Sequence, residues 1–324
     1  MRAYTTVGTT KVYSNYSALV NAKPILSVPG SVTAISSSTS SINVKWSAVS
    51  GANGYEVYSS TSSTGTYTLK STTTATSYNN TGLTTNSAYY YKVRAYTMVG
   101  TTKVYSNYST VVSLTMIKGI DVSKWKGTID WSLVKSDGVK FALLRSSYGD
   151  GTDGYINNGV DPTFETNYAA AKANGIAVGA FHYSYATTLD QATTEAKFLI
   201  SRLQGKQFEY PICIDIEDVS QETLGKTTLA NIALIYLNML KQAGYYPIIY
   251  SNSYGFTDMM DDTMLTSYDH WLAQPKASIT YPGQVGIWQY SLTGTVNGIA
   301  GDVDMDISFV DYESKIKSLH LNGF

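Results

Sequence analysis

Cysteine, histidine and long apolar runs are all scarce in this chain of 324 residues, and each scarcity excludes something. The single cysteine, Cys213, cannot form a disulfide within the chain, and its apolar neighbours predict a small buried side chain. The three histidines show no metal-ligand spacing, so we predict no metal and no organic cofactor. No run approaches the ~18 apolar residues of a membrane span. The N-terminus lacks the apolar segment of a signal peptide.

Acidic residues are almost absent from the first third of the chain. Residues 1–115 hold eight Lys or Arg and one acid, Glu56, for a net charge of +7, whereas residues 116–324 carry a net charge of −8. This contrast predicts a domain boundary near residue 116. A basic module suits an anionic surface such as a cell wall, although scattered lysines are more often simply solvated. Nothing in the pattern indicates nucleic-acid binding.

The basic third reads as short alternating strands separated by turns. In residues 41–46, for example, Ile42, Val44 and Trp46 fall on one face. About seven such segments over roughly 90 residues predict an all-β sandwich.

An internal repeat also marks this part. Residues 2–17 recur as residues 94–109 with one difference, Thr6 against Met98, which indicates tandem modules. With Trp46 and the strand at 91–96, residues 26–115 resemble a fibronectin type III domain. Residues 1–25 then correspond to the remnant of a preceding repeat. We therefore expect a fragment of a longer protein, the alternative being a short gene product.

From residue 116 to 324 the pattern becomes alternating strands and helices. We predict eight strands, at 118–123, 140–146, 177–185, 211–217, 246–251, 270–273, 285–290 and 303–309. Helices are predicted at about 190–203 and 227–243, and a further one begins at Asp161 as N-cap with Pro162 in its first turn and ends at Gly175. This alternation predicts a (β/α)8-like TIM-type barrel, in which some helices are short or missing because the region is near the lower length limit for the fold.

Carboxylates stand at the predicted ends of several strands. Asp215 and Glu217 are two apart, so a strand places them on one face with Cα atoms roughly 6.5–7 Å apart. Buried acids are costly, and paired carboxylates are what glycoside hydrolysis uses. The plain alternative is a strand that runs into a solvated turn. Asp121 ends the first strand, and Asp302, Asp304 and Asp306 share one face of the eighth.

Aromatic residues crowd the same strand ends. Tyr148, Tyr183, Tyr250 and Trp271 are the ones we expect to contact a ligand, and simple packing is the alternative for Tyr148, Tyr183 and Trp271. Carboxylates among aromatic faces are typical of sugar sites, because the rings stack on the apolar faces of pyranoses.

These pieces, in order, resemble family 25 of the glycoside hydrolases, the lysozymes that act as N-acetylmuramidases. The matching stretches are 118–125 with 129–131, 141–149, 179–184, 214–217, 250–251, 271–273, and 287–291 followed by 301–304. A single matching stretch is weak evidence, whereas seven matching stretches in the same order are strong evidence.

The resemblance implies roles for individual residues. Glu217 would be the general acid and Asp215 its electrostatic partner, which stabilises developing positive charge or orients the 2-acetamido group of the substrate. Asp121 and Asp304 would set the protonation of that pair and help to position sugar or water. Substrate contacts would come from Tyr148, Tyr183, Tyr250, Trp271 and Gln289. Outside the site, we expect Asp130 to cap a helix, Asp218 to be exposed and Arg145 to pair with an acid.

The resemblance also implies cleavage of the β-1,4 bonds between N-acetylmuramic acid and N-acetylglucosamine in bacterial peptidoglycan. It implies no obligate protein partner. Secreted or cell-wall action and release as a phage-type endolysin both stay open, as does the stereochemical course. Two rivals also stay open. A chitinase-like barrel carries a further Asp two residues before the Asp-x-Glu pair, where this chain has Cys213. A non-catalytic wall-binding or adhesion protein would not need all four acids.

Overall fold

A computed structural model describes residues 1–20, 25–152 and 156–324. It contains β-sheets in the N-terminal third followed by a closed barrel of eight strands. This agrees with the multidomain architecture that the sequence predicts, an all-β sandwich followed by a TIM-like barrel.

The sandwich consists of two facing sheets. Its core contains the predicted inward face, with Ile42, Val44 and Trp46 all buried. The strands of the smaller sheet are β3 (Thr33–Ser38), β4 (Ser41–Lys45) and β7 (Ser77–Thr81). Those on the larger sheet are β5 (Gly54–Ser60), β6 (Thr68–Thr73), β8 (Ser87–Val99) and β9 (Thr102–Tyr105). Before them, β1 (Tyr4–Val7) and β2 (Thr10–Tyr13) form a separate two-stranded hairpin.

One long strand, β10 (Val112–Val122), belongs to both halves of the molecule. Its first part pairs antiparallel with β8, and its second part is the first strand of the barrel. Met116 on this strand and Ile307 from the barrel complete the hydrophobic core of the sandwich. Asn86 adds a polar link, since its amide donates to the Gly138 carbonyl and its side-chain oxygen accepts from the Lys118 N–H. The predicted boundary at residue 116 falls inside β10, and the division into domains stays a prediction.

All eight predicted barrel strands are present. After β10 they are β11 (Phe141–Tyr148), β12 (Ala177–Tyr183), β13 (Ile212–Asp215), β14 (Pro247–Asn252), β15 (Asp269–Ala273), β16 (Val285–Gly294) and β17 (Val303–Ser308). The first seven run parallel, and β10 also pairs with β11. The eighth, β17, is antiparallel to both of its neighbours, β16 and β10. No helix separates β16 from β17, and this short connection suits an antiparallel return rather than a parallel crossover.

The helices cover the first half of the barrel better than the second. Among the described residues they are α1 (Trp131–Ser136), α2 (Phe164–Ala173), α3 (Leu189–Leu203), α4 (Lys226–Gln242) and α5 (Tyr312–Ser318). Only short turns, Gly255–Met259 and Asp262–Met264, follow β14, and no helix precedes β16. Missing helices were expected from the length of the region. No helix in these ranges is long and apolar enough to cross a membrane.

The start of α2 differs from the prediction. The helix begins at Phe164 and Thr163 is its N-cap residue, so Asp161 is not the cap. The Asp161 carboxylate instead accepts hydrogen bonds from the Arg145 guanidinium and the backbone N–H groups of Lys124 and Thr163. Tertiary pairing with a buried cation therefore outweighs the local capping preference that the sequence suggests. The predicted ends at Gly175 and Gly244 agree with the structure, where both adopt positive φ.

The lower part of the barrel is filled by apolar side chains. Phe141, Leu143, Phe181, Cys213 and Ile287 are buried in one cluster between the strands. The thiol of Cys213 is fully buried, as its apolar neighbours predict. Asp121 and Asp215 lie toward the carboxyl ends of the parallel strands, and the site is built there.

We predict that deleting residues 1–115 lowers the melting temperature of the barrel but leaves its fold and chemistry intact. Met116 and Ile307 would lose their cover, and exposing a side chain of that size costs ~1.5–3 kcal/mol. Tryptophan fluorescence would follow barrel unfolding, because four of the five tryptophans lie after residue 116. A chain that lacks only residues 1–24 is the control and should melt like the intact protein. Equal melting temperatures for all three chains would contradict the shared core.

Candidate active site

The four predicted acids come from three predicted strands and converge at one end of the barrel. Asp121 on β10 lies directly opposite Asp304 on β17. Asp215 ends β13, and Glu217 follows two residues later. These acids raise one another's pKa, Asp304 acting on Asp121 and on Glu217, and Asp121 acting on Asp215. The structure therefore brings together residues that are up to 183 positions apart in the sequence.

Asp215 and Glu217 form the central pair of the site, and Asp215 is the more deeply buried of the two. It is 4% exposed, and its Oδ1 atom accepts no hydrogen bond within the described part of the chain. Burial raises the pKa of its carboxyl well above the ordinary value, and the nearby charges of Glu217 and Asp121 raise it further. The positive charge of Arg145 opposes this shift.

Glu217 is half-buried and is the more accessible member of the pair. Its pKa is also raised, first by burial and then by the charges of Asp304 and Asp218. Tyr250 also contacts the Glu217 carboxyl, and this contact partly offsets the shift. Glu217 therefore combines a raised pKa with access to the cleft, the two properties that a proton donor needs.

Asp121 is held by a relay of side chains from two other strands. The Gln289 amide donates to Asp121 Oδ2 at 2.7 Å, and the Tyr250 hydroxyl donates to Gln289 Oε1 at 3.0 Å. Burial and the charge of Asp304 raise the pKa of Asp121 to about 8, although the Gln289 hydrogen bond lowers it. Tyr250 thus connects Glu217 to Asp121 through Gln289.

Asp306 is a site residue that the sequence interpretation missed. It is 0% exposed, and the Trp271 indole donates to its Oδ1 atom at 2.8 Å. Its carboxyl also bonds with that of Asp121, and burial followed by the charge of Asp121 raises its pKa well above the ordinary value. The sequence did indicate it, because Asp302, Asp304 and Asp306 stand at every second position and so share one face of the strand. We predicted a site role for Asp304 alone.

Two cations face this group of five carboxyls. Lys126 Nζ lies 3.7 Å from Asp304 Oδ2 and donates to the Asp302 carbonyl at 2.7 Å. Arg145 is tied to Asp161 at 2.9 Å, the acid pairing that the sequence predicts for it. Two positive charges cannot balance five carboxylates of which three are buried and two are half-buried, so the group keeps protons into a pH range where free carboxyls have lost them.

The predicted aromatic contact residues differ in how accessible they are. Tyr183 is half-buried, and its hydroxyl donates to Asp218 at 3.2 Å. Trp271 is 1% exposed and packs edge-to-face on Phe181 and Tyr250, so it presents no open ring face for stacking. Its position corrects the expectation of a stacking surface, because the indole supports Asp306 instead. Contacts of Tyr148, Tyr183, Tyr250 and Gln289 with sugar stay predictions.

The acids expected to be structural have identifiable structural roles. Asp130 is the N-cap of α1 and accepts from the N–H groups of Ser132 and Leu133, as predicted. Asp218 caps the short turn Val219–Gln221, and it is half-buried rather than exposed. Over the described ranges, no set of three His, Cys, Asp or Glu side chains is arranged to hold a metal ion.

The sequence matches the model of the glycosyl hydrolases family 25 over residues 120–299, more than half of the chain. The chain belongs to family 25 of the glycosyl hydrolases, and it is a glycoside hydrolase. The model of the fibronectin type III domain matches residues 27–112. Both family assignments agree with the resemblances in the sequence.

Several relatives place this family 25 hydrolase among known proteins. It is 29% identical over 201 residues to the uncharacterised protein YegX of Escherichia coli strain K12, covering 59% of this chain and 69% of the relative. It is 26% identical over 196 residues to the autolytic lysozyme of Clostridium acetobutylicum, covering 59% of this chain and only 55% of that protein. The crystal structure of a bacterial lysozyme from Streptomyces coelicolor matches with a TM-score of 0.52 at 27% identity, covering 63% and 96% of the two chains.

We predict that Asp121→Asn makes the stability of the hydrolase less dependent on pH. Because the pKa of Asp121 is raised to about 8, the folded state holds a proton that the unfolded chain releases from about pH 4 upward. Wild-type stability should therefore fall as pH rises from 4 to 8, and the variant should lose part of that slope. Thermal unfolding at pH 5 and pH 8 measures the effect.

The exposed Asp258→Asn is the matched control for this experiment and should keep the wild-type slope. The interpretation fails if Asp121→Asn and the control show the same difference in melting temperature between the two pH values.

Proposed function

We propose that this protein is a lysozyme that hydrolyses the β-1,4 bonds between N-acetylmuramic acid and N-acetylglucosamine in bacterial peptidoglycan. The observation that carries the proposal is the position of Glu217 beside Asp215 at the mouth of the barrel, with one carboxyl reachable and the other buried. Membership of family 25 and the relatives named as lysozymes support this substrate.

Glu217 acts as the general acid. Protonation of the leaving oxygen requires a carboxyl that is still protonated near neutral pH and that can reach the glycosidic bond. Burial and the charges of Asp304 and Asp218 supply the first property, and the half-buried position supplies the second. The Tyr250 hydroxyl contacts Glu217 and holds the Glu217 side chain toward the cleft, but it takes no part in the proton transfer.

Asp215 acts as the electrostatic partner. Positive charge develops at the anomeric carbon in the transition state, and an anionic carboxylate beside it is stabilising. Its Oδ1 atom has no hydrogen-bond partner in the described residues, so it can also accept from the N–H of a 2-acetamido group and orient that group. Burial and the neighbouring charges raise the pKa of Asp215 in the ligand-free protein, and Arg145 opposes that shift, so it contributes toward the anionic form that either role requires.

Asp121 and Asp304 act through the central pair. Their negative charges raise the pKa values of Asp215 and Glu217, respectively, and so hinder the loss of the last proton from the group. Asp304 is half-buried, and it can contact sugar or water at the edge of the cleft. Asp121 is fixed by the hydrogen bond from Gln289.

The site of action follows from the substrate. We propose that the protein works on the bacterial wall, as its relatives named autolytic lysozyme and endolysin suggest. The fibronectin type III module is then a spacer or weak binder ahead of the hydrolase.

A chitinase-like activity is the rival with the nearest chemistry. Such a site would need a third carboxyl at the position of Cys213, where a fully buried thiol lies within the apolar plug. Burial raises the pKa of this thiol well above its ordinary value, so it supplies no charge. Identification of the new reducing ends separates the two activities. N-acetylmuramic acid supports the proposal, and N-acetylglucosamine contradicts it.

We predict that Glu217→Gln abolishes clearing of purified bacterial walls while wall binding is retained. The amide keeps the shape of the side chain but cannot deliver a proton, and loss of a general acid costs roughly 10²- to 10⁴-fold in rate. The exposed Glu222→Gln makes the same chemical change outside the site and should clear walls at the wild-type rate. If wild type and Glu217→Gln both bind walls and neither clears them, the protein is a binding module and the enzymatic assignment is wrong.

A further inference from the structure

One large aromatic ring close to the acids is left in water. Trp125 is 76% exposed, the highest value for a large apolar side chain in the described part of the barrel, whereas the other four tryptophans of the chain are at most 5% exposed. A single exposed apolar side chain is common on protein surfaces and is not by itself a site. What distinguishes this ring is the way it is held and the charge beside it.

The short turn that carries Trp125 is fixed by polar contacts on both sides. Before the ring, the backbone N–H of Lys124 donates to Asp161 Oδ2 at 3.0 Å. After the ring, Lys126 Nζ lies 3.7 Å from Asp304 Oδ2, which belongs to one of the acids of the site. Trp125 therefore has a defined place at the edge of the candidate active site.

The ammonium group of Lys124 is close to two rings. Its Nζ atom lies 4.9 Å from the ring centre of Trp125 and 5.3 Å from that of Tyr148. The neighbouring cations Lys126 and Arg145 each have a carboxylate partner. Lys124 forms no ion pair with any carboxylate that the structure describes. Its charge is therefore available to an anionic ligand that reaches the exposed ring.

These side chains lie on the side of the barrel where β10 and β11 end. The two strands are parallel neighbours. Trp125 follows the end of β10 by three residues, and Tyr148 is the last residue of β11. A polymer bound across the acids extends beyond the bond that is cleaved, and a sugar unit on this side of the mouth would meet the exposed indole. Contacts with such remote parts of a substrate contribute binding energy.

The pairing of an indole with a free cation defines the chemistry of that sugar unit. An open aromatic face suits the apolar face of a pyranose, and an ammonium group suits a carboxylate. Muramic acid has both features, because its pyranose ring carries a lactyl group that ends in a carboxyl or in an attached peptide. Glucosamine has the ring alone.

We propose that Trp125 and Lys124 form a subsite for a muramyl residue that lies outside the cleaved bond. The indole stacks on the pyranose ring, and the ammonium group binds the carboxylate that the lactyl group or its peptide carries. The choice of this polymer rests on the proposed lysozyme function. The subsite acts on substrate binding and takes no part in the proton transfer.

Acrylamide quenching of tryptophan fluorescence in the full chain with Glu217→Gln tests the contact without hydrolysis. Quenching in the folded protein reports Trp125, because the other four tryptophans are buried. A tetrasaccharide of alternating N-acetylglucosamine and N-acetylmuramic acid should lower the quenching constant saturably and at least about twofold, since stacking covers one face of the ring. The tetramer of N-acetylglucosamine should shield the ring less. Adding Lys124→Gln should remove the difference between the two sugars.

Steady-state hydrolysis of the muramyl tetrasaccharide gives a second readout. Trp125→Ala should raise KM roughly 3- to 10-fold and leave kcat within about twofold, because stacking contributes to binding alone. Trp125→Phe, which keeps an aromatic face, should recover most of the loss. Leu319→Ala is the matched control, an exposed apolar side chain that follows α5, and should keep the wild-type KM.

Failure of the subsite can be told apart from failure of the proposed function. If the muramyl tetrasaccharide leaves Trp125 fully accessible in the Glu217→Gln chain, the subsite is wrong, whatever the wild type cleaves. If the ring is shielded and the wild type cleaves nothing, the subsite stands and the catalytic proposal fails. Equal shielding by the two tetrasaccharides would overturn the role of Lys124 and with it the muramyl assignment. A loss in Trp125→Ala that falls on kcat rather than KM would also contradict the subsite.

Discussion

Burial of like charges is the constraint on which the site depends. Five carboxyls meet at the mouth of a barrel whose lower half is filled with apolar side chains, and two cations face them. Such a group is stable only if some of its members stay protonated, because separate buried charges would cost more than folding can offset. The chemistry and the fold therefore share one requirement, a set of donors that holds the acids in place while leaving a proton on one of them.

Closure of the barrel supplies those donors. Gln289 and Trp271 reach Asp121 and Asp306 from β16 and β15, and Lys126 reaches Asp304 from the turn after β10. The antiparallel direction of β17 fixes the register that sets Asp304 opposite Asp121 and Asp306 opposite Gly119, and the Phe141 ring occupies the space that a side chain at position 119 would need. The same strand buries Ile307 on its other face in the sandwich core, so the two modules meet directly behind the acids.

Much of this arrangement could be predicted from the sequence, and the errors have physical causes. The eight strands were predictable because each is a short apolar run bounded by turn residues, and the acids because period-two spacing places them on one face. The direction of β17 could not be predicted from periodicity, because the same alternation of side chains occurs in parallel and antiparallel strands. Asp306 and Trp271 were misjudged because burial depends on which strands become neighbours. The role of Asp161 depends on Arg145, sixteen residues away, which local capping preferences do not include.

Carbon-detected NMR titration of the side-chain carboxyls in the ligand-free protein can follow these protons, with Glu217→Gln and Asp121→Asn used to assign the signals. We expect the Glu217 carboxyl to lose its proton at a pH above its ordinary value and the group as a whole to hold at least one proton at pH 6.5. Ionisation of every carboxyl in the group below pH 5 would contradict this expectation, because no proton would then be available for a general acid at neutral pH.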